Sequence, residues 1–260
     1  MELGLSAIPT MEETKIMTRI LLMVFAITAL CGMQVSPAAA QSSGNWSCFD
    51  DQSQRPIELI LSACSLAIDD PGTSMSEKTN ALLTRGWIYI KLEKYDRAIS
   101  DFTHAIGWQR TLSEAYLGRA DAYEKRGDYS HAMADYDQLI EMHPHDSRAF
   151  NDRCWNRAVQ GQQLELALSD CNQAVTLSPN DADILDSRCF VNFRMSQYSS
   201  AIGDCDAVLK IYPKRAPSLY VRGLAKLKTG DTAGGNADIA AAEALDSTVA
   251  QTYAGYGVKP

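Results

Sequence analysis

One stretch of 34 residues, 113–146, constrains the fold most strongly, because its pattern recurs with a fixed period on both sides. Apolar or small residues stand at helical spacing on each side of a break at Gly127 and Asp128, and Pro144 ends the pattern. This pattern predicts two amphipathic helices of about four turns each, joined by a tight turn. The same frame predicts five helix-turn-helix units: residues 79–112, 113–146, 147–181, 182–215 and 216–249.

These units predict an all-α solenoid. In residues 113–146, Tyr116 is followed by a small residue four positions on, an alanine and Tyr136 follow in the second helix, and Pro144 ends it. This order resembles the tetratricopeptide repeat (TPR), which implies a superhelical array. The runs DYDQLIEMHP and RGLAKLKTGDTAGGNADIAAA further resemble exported TPR proteins of Gram-negative bacteria with no assigned activity. Residues 41–78 read as degenerate N-terminal capping helices and residues 250–260 as a C-terminal tail, because terminal units of a solenoid are atypical.

The N-terminal 40 residues have a different pattern. A short basic flank at Arg19 precedes a mostly apolar run, and small residues precede Gln41. We interpret this as a signal peptide cleaved after Ala40, with a retained transmembrane helix as the alternative. Acidic residues before Met17 suit no signal peptide, so translation could begin at Met17. The sequence therefore predicts an exported protein, periplasmic or secreted.

The net charge of the chain is −8. Binding to nucleic acid without sequence preference needs a basic face that replaces condensed counterions. An acidic chain with no basic run offers none, so we do not expect a nucleic-acid partner.

Six cysteines follow residue 40, and they occupy only two positions of the repeat frame. Position 8 holds Cys48, Cys154 and Cys189, and position 24 holds Cys64, Cys171 and Cys205, once the extra turn residue of unit 147–181 is left out. In a helical hairpin these positions are nearly level on opposite arms. The register favours the disulfides Cys48–Cys64, Cys154–Cys171 and Cys189–Cys205, with free buried cysteines as the alternative. We expect no metal site, because no histidine lies at ligand spacing from these cysteines.

Arginine stands at position 7 and aspartate at position 23 of all five units. Because these positions are also level across the hairpin, we expect Arg–Asp pairs within or between units. The alternative is that the arginines form a track for an anionic ligand.

The TPR resemblance implies a concave groove lined by the first helix of each unit. Positions that face the groove in this family correspond here to aromatic and acidic residues: Trp87, Asp121, Trp155, Asp186, Phe190 and Tyr220. Exposed rings of this kind are common anchors for peptides. The alternative is that these rings pack against a neighbouring unit.

We interpret the chain as a non-catalytic scaffold of the bacterial cell envelope that binds a protein or peptide. No nucleophile-base arrangement, phosphate loop or metal motif points to an enzyme, and no cofactor is expected. The alternative is a structural protein that associates with itself. The sequence does not specify the partner or the oligomeric state.

Overall fold

The computed structural model describes Cys48 and residues 56–258, and these contain twelve helices. They are α1 (Ile57–Asp69), α2 (Met75–Lys91), α3 (Tyr95–Trp108), α4 (Ser113–Arg126), α5 (Tyr129–Met142), α6 (Ser147–Gln160), α7 (Leu164–Leu177), α8 (Ala182–Arg194), α9 (Tyr198–Ile211), α10 (Ala216–Thr229), α11 (Thr232–Leu245) and α12 (Val249–Gly255). No strand occurs in this part of the chain. Helices α2 to α11 form five antiparallel hairpins stacked in chain order, which is the predicted solenoid.

The predicted signal peptide, its cleavage after Ala40 and the start at Met17 lie outside the described residues. Among the helices that are described, none combines the length and the apolar content needed to span a bilayer.

Turn chemistry sets the helix ends. Gly127, Gly161 and Gly230 end the first helices of three hairpins with φ between 66° and 93°, a left-handed conformation that glycine adopts at little cost. Aspartates then cap the N-termini of several helices; the Asp128 side chain, for example, accepts from the backbone N–H of His131. The hairpins are therefore closed by short, locally encoded turns. The additional residue of unit 147–181 lies in the turn between α6 and α7.

Helices approach closely where small residues face large rings. The ring of Phe102 on α3 is fully buried beside Gly86 on α2 and Gly118 on α4. A Cβ atom built at Gly118 would lie 2.4 Å from this ring, and one at Gly86 would lie 2.8 Å from it. The two glycines therefore leave room for the ring, which joins the first two hairpins.

The predicted Arg–Asp pairs form in all five hairpins, and each arginine also reaches the preceding unit. The pairs are Arg85–Asp101, Arg119–Asp135, Arg153–Asp170, Arg188–Asp204 and Arg222–Asp238. In each pair Nε and Nη2 donate to the two carboxylate oxygens over 2.6–3.0 Å. Nη1 donates over 2.7–3.2 Å to a polar side chain at position 25 of the unit before: Ser65, Thr103, Asp137, Asn172 and Asp206 respectively. Each guanidinium thus closes its own hairpin and ties it to its neighbour, and it is not free for an anionic ligand.

The cysteines lie in the register that the repeat frame favours. The structure joins Cys48 to Cys64, Cys154 to Cys171 and Cys189 to Cys205, with Cα–Cα distances of 4.8, 5.5 and 5.6 Å. The last two disulfides link the two helices of the α6–α7 and α8–α9 hairpins. These two hairpins are therefore each closed by a covalent bond.

Candidate functional site

The residues predicted to line a concave groove fall into an open half and a closed half. The open half contains a cleft of about 380 Å³ formed by α2, α4, α5, α6 and the turn before α6. Its lining residues are Trp87, Ser113, Glu114, Leu117, Leu139, Asp146, Arg148 and Ala149.

Trp87 forms one wall of this cleft. Its indole Nε1 donates to the Glu114 carboxylate over 3.2 Å, and its ring meets the Phe102 ring edge-on at a centroid distance of 5.4 Å. The side chain is thus held in place by the first two hairpins. Together with Leu117 it gives the cleft an apolar side, while Glu114 gives it an acidic edge.

Three further carboxylates lie on the helices that flank this cleft: Asp121 and Glu124 on α4, and Asp152 on α6. Glu124 accepts a hydrogen bond of 2.9 Å from the Asn156 side chain, which joins α4 to α6. The nearest cation to Asp121 is Lys125, at 3.7 Å. No ion pair within 4.0 Å involves Glu124 or Asp152 among the described residues. These two carboxylates are half-buried with no cation in direct contact, and the charge of Arg148, which lines the cleft, partly offsets the effect of burial on Asp152.

Burial changes the proton affinity of this acidic cluster. It raises the pKa of Glu124 to about 7, and the neighbouring Asp152 adds to the increase while the hydrogen bond from Asn156 opposes it. Burial likewise raises the pKa of Asp152 to about 6, and the pKa of Asp121 also lies above its ordinary value. Glu124 is thus about half ionised near neutral pH, so a cation brought next to it would favour its ionised form.

The closed half is filled by the C-terminal segment, which we define as residues 249–258. Helix α12 does not trail away from the last hairpin as the predicted tail would. Its Tyr253 ring lies 5.2 Å from Phe190 and 5.3 Å from Tyr220, measured between centroids. Tyr256 lies 5.7 Å from Trp155, and its carbonyl oxygen accepts a hydrogen bond from Arg194. The segment therefore crosses the first helices of three hairpins, α6, α8 and α10.

This arrangement corrects the prediction for Phe190 and Tyr220. Phe190 was predicted as a peptide anchor and Tyr220 as a groove-lining residue, but Phe190 is 0% exposed and Tyr220 is 1% exposed. They pack against the C-terminal segment and cannot touch a partner while the segment is in place. Trp155 is half-buried between Phe190 and Tyr256.

Asp186 is likewise occupied within the chain. Its carboxylate accepts from the Ser218 hydroxyl over 2.6 Å and from Arg215 Nε over 3.0 Å. Of the six predicted groove residues, Trp87 and Asp121 thus lie in the open half, whereas the other four contribute to the closed half.

Two features of the structure were not predicted from the sequence: the apolar face of α12 and the hydrogen bonds between successive units. Val249, Tyr253 and Tyr256 stand at i, i+4 and i+7, a helical spacing that could have predicted an apolar face on α12. The position 25 acceptors recur in five successive units, including the capping unit, and this recurrence could have predicted the ties between units. Among Cys48 and residues 56–258, no three acidic, histidine or cysteine side chains are grouped so that they could hold a metal ion.

Comparison with known proteins agrees with this architecture. A family model described as tetratricopeptide repeat matches residues 83–147 and 117–182. The chain is 26% identical over 178 residues to the mitochondrial import receptor subunit TOM70 of Rattus norvegicus, a match that covers 67% of this chain and 29% of that protein. It is 41% identical over 105 residues to DnaJ homolog subfamily C member 7 of Homo sapiens, which covers 40% of this chain and 20% of that protein.

Among solved structures, a tetratricopeptide repeat protein from Parabacteroides merdae superposes with a TM-score of 0.63 at 16% identity, over 76% of this chain and 81% of that one. At this identity the likeness concerns the fold alone. The chain covers less than a third of the length of either relative, so their whole activities are not carried over. The repeat model and the stacked hairpins agree on residues 83–182, which are identified as tetratricopeptide repeats, and the described residues have the solenoid fold of such proteins.

Proposed function

We propose that this protein is a non-catalytic scaffold that binds a peptide segment of a partner protein in the open half of its groove. The observation that carries the proposal is the cleft beside Trp87, whose flanking helices α4 and α6 carry half-buried carboxylates with no cation within 4.0 Å. An apolar wall next to a few convergent polar groups is typical of binding sites, and a cleft of about 380 Å³ can take one or two side chains.

The chemistry of the open half indicates what kind of peptide it takes. An aliphatic or aromatic side chain fits the cleft between Trp87 and Leu117, where burial of its apolar surface stabilises the complex. A lysine or arginine nearby would meet Glu124 and Asp152. These carboxylates have already lost part of their hydration in the free protein, so the cost of removing water from them on binding is smaller. The proposed ligand is therefore an apolar residue close to a basic residue in an otherwise extended or helical segment.

We further propose that the protein works outside the cytoplasm, in the bacterial cell envelope. The pattern of the first 40 residues and the cysteines in disulfide register support this location, because disulfides persist in oxidising compartments.

The test is selection of ten-residue peptides from a displayed random library with the wild-type protein. We expect enrichment of sequences with a basic residue near an apolar one. The enriched peptides should bind Trp87→Ala and Glu124→Gln at least tenfold more weakly by fluorescence anisotropy. Trp108→Ala is the matched control, because Trp108 is 43% exposed at the end of α3, away from the cleft. It should bind them as the wild type does.

Equal binding of the enriched peptides to the wild type and Trp87→Ala would contradict the groove assignment. Failure to enrich any peptide, together with a concentration-dependent mass in sedimentation equilibrium, would replace the proposal by self-association.

A further inference from the structure

The concave face under the C-terminal segment has a framework that does not depend on the segment. The α6–α7 hairpin is closed by the disulfide Cys154–Cys171 and the α8–α9 hairpin by Cys189–Cys205. Arg–Asp pairs close the same hairpins, and a further pair closes α10–α11. These links hold each hairpin together, and Arg188 and Arg222 also donate hydrogen bonds to Asn172 and Asp206 of the preceding hairpins. The surface formed by α6, α8 and α10 is therefore held in place without the segment.

The C-terminal segment, in contrast, is attached mainly by aromatic rings. Tyr253 is buried against Phe190 and Tyr220, and Val249 and Val258 are buried beside it. Among the described residues no disulfide or ion pair joins the segment to the hairpins, and its one side-chain hydrogen bond to them comes from Arg194. A helix of seven residues is too short to persist alone in water, where about 12 to 15 residues are needed. The segment is therefore helical because it lies on this surface.

We propose that the concave face of α6, α8 and α10 is a binding site for a short helix that presents two aromatic side chains three residues apart, and that residues 249–258 are its intramolecular ligand. The site goes beyond the proposed function, because it lies in the closed half of the groove and does not use the cleft beside Trp87. Tyr253 fills the space between Phe190 and Tyr220, and Tyr256 covers Trp155. A partner helix with the same two rings would make the same contacts.

The short connection to α11 determines how strongly the site is protected. Residues 246–248 link α11 to α12, so the segment is always near its site. A short tether gives an effective concentration on the order of millimolar, which an added helix must overcome. Removing the two rings from the chain itself should therefore expose the site to an added helix.

The test uses a fluorescein-labelled peptide with the sequence of residues 247–258 and the full chain with Tyr253→Ala and Tyr256→Ala. We expect the double variant to bind this peptide at least tenfold more tightly than the wild type does, measured by anisotropy. Tyr212→Ala is the matched control, because Tyr212 is 54% exposed in the turn after α9; it should bind the peptide as the wild type does. A peptide with both tyrosines changed to alanine should bind the double variant at least tenfold more weakly.

A double variant that keeps its circular dichroism spectrum and binds the peptide no better than the wild type would overturn the proposal, as would equal binding of the two peptides. If the double variant loses helical signal, Tyr256→Ala alone replaces it, because that change removes the half-buried ring that covers Trp155 and leaves Tyr253 and the receiving surface unchanged. It should bind the peptide at least threefold more tightly than the wild type, and equal binding would overturn the proposal. The Trp87→Ala change should not alter binding of this peptide, so the outcome is independent of the cleft.

Discussion

Replacing Glu124 by glutamine should stabilise the folded protein at pH 8 and have almost no effect at pH 4. The folded-state pKa of Glu124 is about 7, against an ordinary value of 4.5, so the folded state holds its proton more tightly than the unfolded chain. Stability linked to this group is therefore greatest below pH 4.5 and is lost as the pH rises through 7. A difference of about 2.5 pH units at about 1.4 kcal/mol each gives about 3 kcal/mol of destabilisation at pH 8. Glutamine has no proton to lose and avoids this cost.

The assay is urea denaturation of the wild type and Glu124→Gln at pH 4, 6 and 8. We expect the difference in the free energy of unfolding to grow with pH, mainly between pH 4.5 and 7. Glu141→Gln is the matched control: Glu141 is exposed near the end of α5, so its replacement should change stability by less than about 0.5 kcal/mol at each pH. A constant difference across the pH range, or a loss of stability at pH 8, would refute the argument that Glu124 is buried without a cation.

The same change should weaken binding of basic peptides, since the ionised carboxylate is the group that they are proposed to meet. The Glu124 carboxylate would then both destabilise the folded protein and bind the peptide. A variant that is more stable but binds basic peptides more weakly would show that one side chain has both effects.

Three further predictions concern the framework. Arg119→Met should lower the free energy of unfolding by about 3 to 5 kcal/mol, because it leaves the carboxylate of Asp135 buried without its partner. Arg126→Met removes exposed ion pairs and a cation–π contact with Tyr123 and should lower it by about 1 kcal/mol; equal effects in urea denaturation would contradict this. Gly118→Ala should lower the free energy of unfolding by about 1 to 3 kcal/mol, because its methyl group would overlap the buried Phe102 ring. Gly107→Ala, on the exposed surface of α3, should raise it by up to about 1 kcal/mol, and thermal unfolding measures both changes. Each of the three disulfides closes a loop of 16 or 17 residues, so its reduction should lower the free energy of unfolding by on the order of 3 kcal/mol. An unchanged unfolding midpoint after reduction would show that the cysteines are not linked.

The sequence was most informative where structure depends on nearby residues. The spacing of apolar residues and the turn residues within about 34 positions predict the hairpins. The Arg–Asp pairs are equally local, since Arg119 donates a hydrogen bond to Asp135 only 16 residues further along the chain. The C-terminal segment was mispredicted as a tail because its partners are distant: Tyr256 is held by Arg194, 62 residues earlier. The same reason applies in part to Glu124, whose proton affinity depends on Asn156 and Asp152 of α6 as well as on its own helix. The repeat frame identified which side chains share a face but not what covers that face.

The arginine ties also bear on how an array of this kind can grow. Each unit supplies a donor at position 7 to the unit before it and an acceptor at position 25 to the unit after it. A tandem duplication of any internal unit would therefore bring both halves of the new junction with it, and no further substitution would be needed to join the copies. The unit 216–249 carries Ala240 at position 25, and alanine has no side-chain hydrogen-bond acceptor. An arginine at position 7 of a unit appended after residue 249 would therefore have no acceptor for its Nη1 hydrogen bond. Ala240→Asp, or a similar change, would supply that acceptor.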